Sequence, residues 1–310
     1  MCRPSSRARR IPALTERFAV VSRRPSLSVQ PLYVSVHCYS FAWSEPVHML
    51  NRKRKLATRS DVCRTWVVPN ENLKLKTAEI HLWRISLALG ESAAPRFREL
   101  LSSDEIHLAD RFRFNEDGWR FTIARGALRQ ILSRYLKIQP DKVLFSYAGS
   151  GKPELADCIN QLNLRFNLSH SRNLALIAVA QNSRVGIDVE FVDRERNTEE
   201  IAERFFSTNE VKALRALDPA KRQEAFFDCW TRKEAYLKAF GEGLSTSLSS
   251  FEVEFSPGVP AALNRADDRL DEVARWSMYE IAVGQRYRAA VVVEGKDHLL
   301  RYWQWIASFV

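Results

Sequence analysis

Cysteine is scarce in this chain of 310 residues, with five at positions 2, 38, 63, 158 and 229 and no two in Cys-x-x-Cys spacing. That scatter excludes a zinc ribbon and offers no disulfide framework, so a buried core must hold the fold. Long apolar runs are missing too. No stretch reaches the roughly 18 apolar residues that a membrane-spanning helix needs, and the run at 32–42 is broken by polar residues. A clear secretory apolar segment with a cleavage site is also lacking. Nor is there a phosphate-binding loop: Gly149-Ser150-Gly151-Lys152-Pro153 carries proline where that motif requires Ser or Thr. The expected setting is a reducing cytoplasm with no membrane partner.

Acidic residues are in short supply at one end only. Residues 1–75 hold 14 Lys and Arg against 4 Asp and Glu, which accounts for the whole formal charge of +10. The remainder is balanced, so nucleic acid is not an expected partner of the folded body. Three readings of this basic leader stay open: an Arg- and Ser-rich transit-like segment, an arm for nucleic acid or a membrane surface, or a disordered extension with an over-long start, Met49 being the next methionine. The last sets the expected boundary of order near Ala78, with 1–77 as leader and 1–75 dispensable.

What the rest contains is a twice-told pattern. With 45% hydrophobic and 11% aromatic residues the chain can bury large cores. Glu79 opens a strand, Ser102-Ser103-Asp104-Glu105 reads as a capping box, and a helix follows over 117–136 whose Arg120, Arg125 and Arg129 read as a solvated basic face. An apolar strand at 174–180 leads into 185–190. Ser207-Thr208-Asn209-Glu210 is a second capping box before a helix over 222–240. Strands at 251–255, 278–283 and 287–293 complete the second part, and the aromatic tail packs on the core. The expectation is an α/β (α+β) fold of two similar lobes, 78–166 and 167–298, with a packed tail at 299–310 and a ligand cleft between the lobes.

Chemistry concentrates in the second part. In Gly186-Ile187-Asp188-Val189-Glu190 a period of two puts Asp188 and Glu190 on one strand face. Helical spacing puts Glu234 and Lys238 on one stripe. Three carboxylates make a hard oxygen site suited to a partly hydrated Mg²⁺ that a phosphate completes, with Lys238 in reach of that phosphate. The plain alternative is an ordinary surface Glu–Lys pair. His170, between Ser169 and Ser171, is either a satisfied structural histidine or part of an anion nest. Cys229 reads as a buried, inert thiol.

These residues resemble a family. Gly186-Ile187-Asp188-Val189-Glu190, then Trp230-x-x-Lys233-Glu234-Ala235-x-x-Lys238, with Asp117-x-x-Arg120-Phe121, Gly151-Lys152-Pro153 and Asn167-Leu168-Ser169-His170-Ser171 upstream, is similar to the 4'-phosphopantetheinyl transferases of the surfactin-synthetase-activating type. The resemblance spans roughly 80–293. It implies a two-lobed monomer that moves 4'-phosphopantetheine from coenzyme A to a serine of an acyl, peptidyl or aryl carrier protein, serving fatty-acid, polyketide or nonribosomal-peptide synthesis. By the same resemblance Asp188, Glu190 and Glu234 hold magnesium. Glu234, Lys238 and Asp188 are catalytic, Glu234 accepting the serine proton and Lys238 meeting the leaving phosphate. Arg120, Gly151, Lys152, Pro153, Asn167, Ser169, His170 and Lys238 bind coenzyme A. The basic and aromatic stretch 193–206, with Arg194, Arg196, Arg204, Phe205 and Phe206, is the expected carrier-facing rim. The rival is a metal-dependent nuclease, which usually has a lysine two residues after the strand acid, where this chain has Val192.

Overall fold

A computed structural model describes residues 65–71, 73–147, 151–241, 246–266 and 270–307. The first half runs β1 (Glu79–Ser86), α1 (Ala94–Arg98), α2 (Ser103–Ala109), α3 (Asn115–Leu136), β2 (Phe145–Tyr147), β3 (Pro153–Leu155), β4 (Leu164–Ser171) and β5 (Leu174–Gln181). The second runs β6 (Val185–Phe191), α4 (Thr198–Phe205), α5 (Thr208–Ala216), α6 (Pro219–Phe240), β7 (Phe251–Val253), β8 (Leu263–Ala266), α7 (Leu270–Arg275), β9 (Trp276–Glu280) and β10 (Tyr287–Glu294), and β11 (Leu299–Gln304) follows. The sheets repeat the order. One is β11-β1-β5-β4 and the other β6-β10-β9, so in each half the first strand pairs with the last and the last with the one before it.

Local chemistry explains the repeat. Both capping boxes form: Ser102 with Glu105 opens α2, and Ser207 with Glu210 opens α5, each satisfying otherwise orphaned amides. The same glutamates then reach into the long helices, which are 22 residues each. Glu105 meets Arg129 at 2.7 Å and Glu210 meets Lys233 at 2.8 Å, all four side chains buried. Arg129 also donates to the Val143 carbonyl, and Lys233 to those of Leu248 and Phe251. Each long helix stops on a left-handed residue, Lys137 after α3 and Gly241 after α6. α3 buries Ile123, Leu128 and Ile131 against Trp83, Ile85 and Ile177, while Val185, Ile187 and Val291 share a second cluster with Ile80 and Leu82.

Several expectations need correction. Arg125 and Arg129 are not a solvated face; both are buried, because Glu105 offers them a charge partner. Order begins before Ala78: Leu73 lies in the core, the Trp66 indole donates to the Ala282 carbonyl at 3.2 Å, and Arg134 donates to the Asn70 carbonyl. Removing 1–75 therefore cuts into the fold, whereas 1–64 lie outside the described residues. The lobe boundary at 166/167 falls inside β4, whose sheet belongs to the first half. The tail at 299–310 supplies a strand, β11, parallel to β1. His170 sits near the end of β4. β9 starts at Trp276, ahead of the expected 278. Among the described residues no helix is long and apolar enough to cross a membrane.

Candidate active site

Strand β6 hydrogen-bonds to β10 along one edge, and its other edge needs acceptors for its amides. Alternate residues of β4 supply them. The Ile187 amide donates to Asn167 Oδ1 at 2.8 Å, the Val189 amide to Ser169 Oγ at 3.4 Å and the Phe191 amide to Ser171 Oγ at 3.1 Å. Each serine then spends its own proton on a carboxylate. Ser169 donates to Asp188 Oδ1 at 2.9 Å and Ser171 to Glu190 Oε2 at 3.0 Å. The pattern Asn167-x-Ser169-x-Ser171 thus joins two strands that share no backbone ladder and orients both acids of the second.

Gly186 brings α6 onto these acids. A Cβ there would stand 2.1 Å from the Ala235 carbonyl oxygen and 2.3 Å from the Ala239 nitrogen, so only glycine permits this approach of strand and helix. Two residues on, Asp188 meets Lys238: the ammonium lies 2.5 Å from Oδ1 and 3.1 Å from Ser169 Oγ. Burial pulls the Lys238 pKa down, yet Asp188 first and then Glu234 and Glu190 leave it above the usual lysine value. Three carboxylates therefore bear on one ammonium.

That single cation does not balance them. Burial, then the neighbouring Asp188, pushes Glu190 up to about 8, against the pull of Ser171, Arg196 and Lys238. Asp188 Oδ2 is buried with no hydrogen-bond partner. An orphaned carboxylate oxygen beside an acid that resists ionisation fits a hard cation in charge and in donor type. Among the described residues no three acids or histidines close into a ligand set by themselves. Mg²⁺ does not demand one, since it is commonly held by one or two carboxylates with water and substrate phosphates completing the shell.

The expected coenzyme residues fall into three places. Asn167 and Ser169 are committed to β6, as above. Half-buried His170 is held neutral, its pKa lowered to about 4 by burial and then by Lys238, Arg125 and Arg120, so three cations bear on the space around it. Arg120 is anchored by Asn173 Oδ1 at 2.9 Å and by Glu116 and Asp117. Lys152 is placed otherwise than expected. Its ammonium donates to the carbonyls of Lys238 at 2.7 Å and Val185 at 3.1 Å, closing the end of α6, and burial lowers its pKa to about 8. Gly151 has a φ of 75° and leads into Pro153 at the start of β3. In the expected rim Phe206 is core, stacked on Phe226, while Arg194 and Arg204 are exposed. Residue reading missed Asn173, took Ser171 for part of an anion nest rather than the holder of Glu190, and took Arg125 for a solvated residue.

The fold is a twofold α/β repeat with an acid-rich seam between β6 and α6, and its similarity to known proteins supplies the family. The family described as the 4'-phosphopantetheinyl transferase superfamily matches residues 184–292, and the family described as 4'-phosphopantetheinyl transferase, N-terminal, matches 93–182. The chain is 42% identical to 4'-phosphopantetheinyl transferase HetI of Nostoc sp. over 78% of this chain and 98% of that one. It is 35% identical to 4'-phosphopantetheinyl transferase psf-1 of Bacillus pumilus over 63% and 83%, and 32% identical to 4'-phosphopantetheinyl transferase Sfp of Bacillus subtilis over 53% and 71%. A crystal structure of Thermotoga maritima holo-[acyl-carrier-protein] synthase aligns at a TM-score of 0.29 and 28% identity over 36% of this chain and 63% of that one. This chain belongs to the 4'-phosphopantetheinyl transferase superfamily and is an enzyme of that kind.

Proposed function

We propose that the chain transfers the 4'-phosphopantetheine of coenzyme A to a serine hydroxyl of an apo acyl, peptidyl or aryl carrier protein, releasing adenosine 3',5'-bisphosphate, with Mg²⁺ required. The observation that carries this reading is Lys238, held by Asp188 and Ser169 where β4, β6 and α6 meet, with Glu190 and Glu234 bearing on the same ammonium. Such a seam can take a pyrophosphate, because it offers a donor for phosphate oxygens and acids for the accompanying cation. Asp188, Glu190 and Glu234 would hold the metal, which when bound neutralises pyrophosphate charge.

The protein's own part is positioning and proton transfer. Glu234, on the helix face against the seam, accepts the proton of the attacking serine, directly or through water. The serine oxygen forms a bond to the β-phosphorus as the bond from that phosphorus to the bridging oxygen breaks, and the leaving phosphate takes the electron pair. Lys238 sits one turn beyond Glu234 and stabilises or protonates that leaving oxygen. Arg120 and the cations around His170 take the nucleotide end. The expected product is a carrier protein heavier by one phosphopantetheine, read by mass spectrometry after incubation with coenzyme A and Mg²⁺. Glu234→Gln keeps size but removes the base and lowers kcat at least about a hundredfold. Near-normal turnover of that variant at saturating Mg²⁺ takes Glu234 out of the mechanism.

A further inference from the structure

Helix α6 ends beside the first residues of β6, and one side chain from the other half of the fold holds the two together. The last four carbonyls of a helix have no partner within it. Here the Gly241 amide donates to that of Leu237 at 3.0 Å, the Arg184 guanidinium to that of Phe240 at 3.3 Å and the Lys152 ammonium to that of Lys238 at 2.7 Å. The same ammonium donates to the Val185 carbonyl at 3.1 Å. Val185 stands on the edge of β6 away from β10, where the later amides go to Asn167, Ser169 and Ser171, so its carbonyl takes a donor from outside the strand's own sheet.

These two carbonyls flank a contact that is closed to any side chain. Gly186 follows Val185, and a Cβ on it would stand 2.9 Å from the Lys238 carbonyl carbon. Lys152 therefore spans the place where strand and helix touch, and it reaches there from the residue before β3. One of its acceptors belongs to the residue whose own ammonium meets Asp188 and Ser169. A lysine tip sits on a long, flexible stem, so its place is set only when the backbone at its root is held as well. Two of the three donors of Lys152 are spent on main-chain oxygens, which leaves one at most for a phosphate. A cation there also complements the negative end of the helix dipole.

We propose that Lys152 is a positioning residue for Lys238, setting the last turn of α6 against β6 so that the Lys238 ammonium lies where the leaving phosphate forms. This rests on the transferase reading above. The Lys152 ammonium then serves the catalytic helix rather than the coenzyme. A shift of about 1 Å at a reacting group can cost about a hundredfold in rate, so loss of this tie is read in kcat and not in the affinity for coenzyme A.

The test compares Lys152→Met, which keeps the length of the side chain and removes its donors, with Arg184→Met, which frees a different carbonyl of the same helix end. Transfer to an apo acyl carrier protein is followed with coenzyme A varied, well below the melting temperature of each variant. Lys152→Met should lower kcat at least about tenfold and leave the KM for coenzyme A within about twofold, whereas Arg184→Met melts earlier and keeps kcat within about twofold. The Lys238 ammonium is observed in parallel by ¹H–¹⁵N NMR, its signal assigned through its loss in Lys238→Met. That signal should shift or broaden in Lys152→Met and stay in place in Arg184→Met. Should Lys152→Met not fold, Lys152→Gln, which keeps one donor group, carries the same comparison. A raised coenzyme KM with kcat kept would put Lys152 on the coenzyme, and equal losses of kcat in the two variants would make it one of several ties at the helix end. Either result overturns the proposal, as does an unmoved Lys238 signal. Wild-type protein that modifies no carrier overturns the transferase reading, and the Lys238 signal then still decides whether Lys152 places that ammonium.

Discussion

The two halves of this enzyme are built alike and filled differently. Trp83 pairs with Ile177 in β5 and Asp188 pairs with Ala290 in β10, each partner the fourth residue of its strand. By the same register Ile85 matches Glu190 and His81 matches Gly186. Counted from the starts of α3 and α6, Arg129 matches Lys233, Gln130 matches Glu234 and Arg134 matches Lys238. In the first half the Arg134 guanidinium lies 5.5 Å from the Trp83 ring; in the second the Lys238 ammonium lies 2.5 Å from an Asp188 oxygen. One scaffold thus holds an aromatic core on one side and a charged seam on the other. The difference teaches what a repeat must retain. The buried Glu–cation pairs and helix stops are kept in both, while the residues facing the first strand are free to become chemistry.

That comparison can be broken at its shared part. Glu105→Gln and Glu210→Gln each strand a buried cation and should cost about 3–5 kcal/mol in chemical denaturation, with similar losses in the two halves. Unequal losses would show that the carbonyls of Leu248 and Phe251 already satisfy Lys233 on their own. Gly186→Ala attacks the second half alone: its Cβ meets helix backbone, so about 3 kcal/mol of stability and most transfer activity should be lost together. A stable, active Gly186→Ala enzyme would mean that the close approach of α6 is not needed.

Matched substitutions sharpen it. Lys238→Met should reduce kcat at least about a hundredfold, whereas Arg134→Met at the equivalent position should cost about 1 kcal/mol of stability and leave turnover near normal. The smallest effect is in pH. The Trp83 indole donates to the Tyr135 hydroxyl, which leaves that hydroxyl's proton for Nδ1 of neutral His81. Burial holds His81 at about 4, and only part of this is offset by Glu79. The unfolded chain therefore binds the proton first, and His81 contributes stability above about 6.5 that is lost as pH falls through about 4, at no more than about 1.4 kcal/mol per pH unit. His81→Gln should flatten the fall in melting temperature over that range, leaving the share due to His170.

Much of this was legible in the sequence because it is local. Capping boxes, strand alternation and the stripe of Glu234 and Lys238 are read from neighbours a few residues apart, and the two long helices lie close to where the spacing puts them. What escaped was set by distant partners. Nothing near Arg129 announces that Glu105 will bury it, and nothing near Lys152 announces the carbonyls of Val185 and Lys238 that take its ammonium. The role of Gly186 is visible only once α6 lies on β6. Alternating Asn167, Ser169 and Ser171 look like an anion site in isolation, and in the fold they are also the acceptors that an unpaired strand edge requires.

The partnership of β11 with β1 sets an order of events during synthesis. β1 leaves the ribosome more than two hundred residues ahead of the strand that covers its outer edge, so the first half is made with an open strand flank while β6 to β10 are translated and packed. A nascent or truncated chain ending before Leu299 presents that flank to other chains, and apolar edges of this sort template intermolecular pairing. Fusions and deletions at the far end therefore act on the solubility of the near end, and a residue such as Tyr302, remote from all chemistry, guards the yield of folded enzyme.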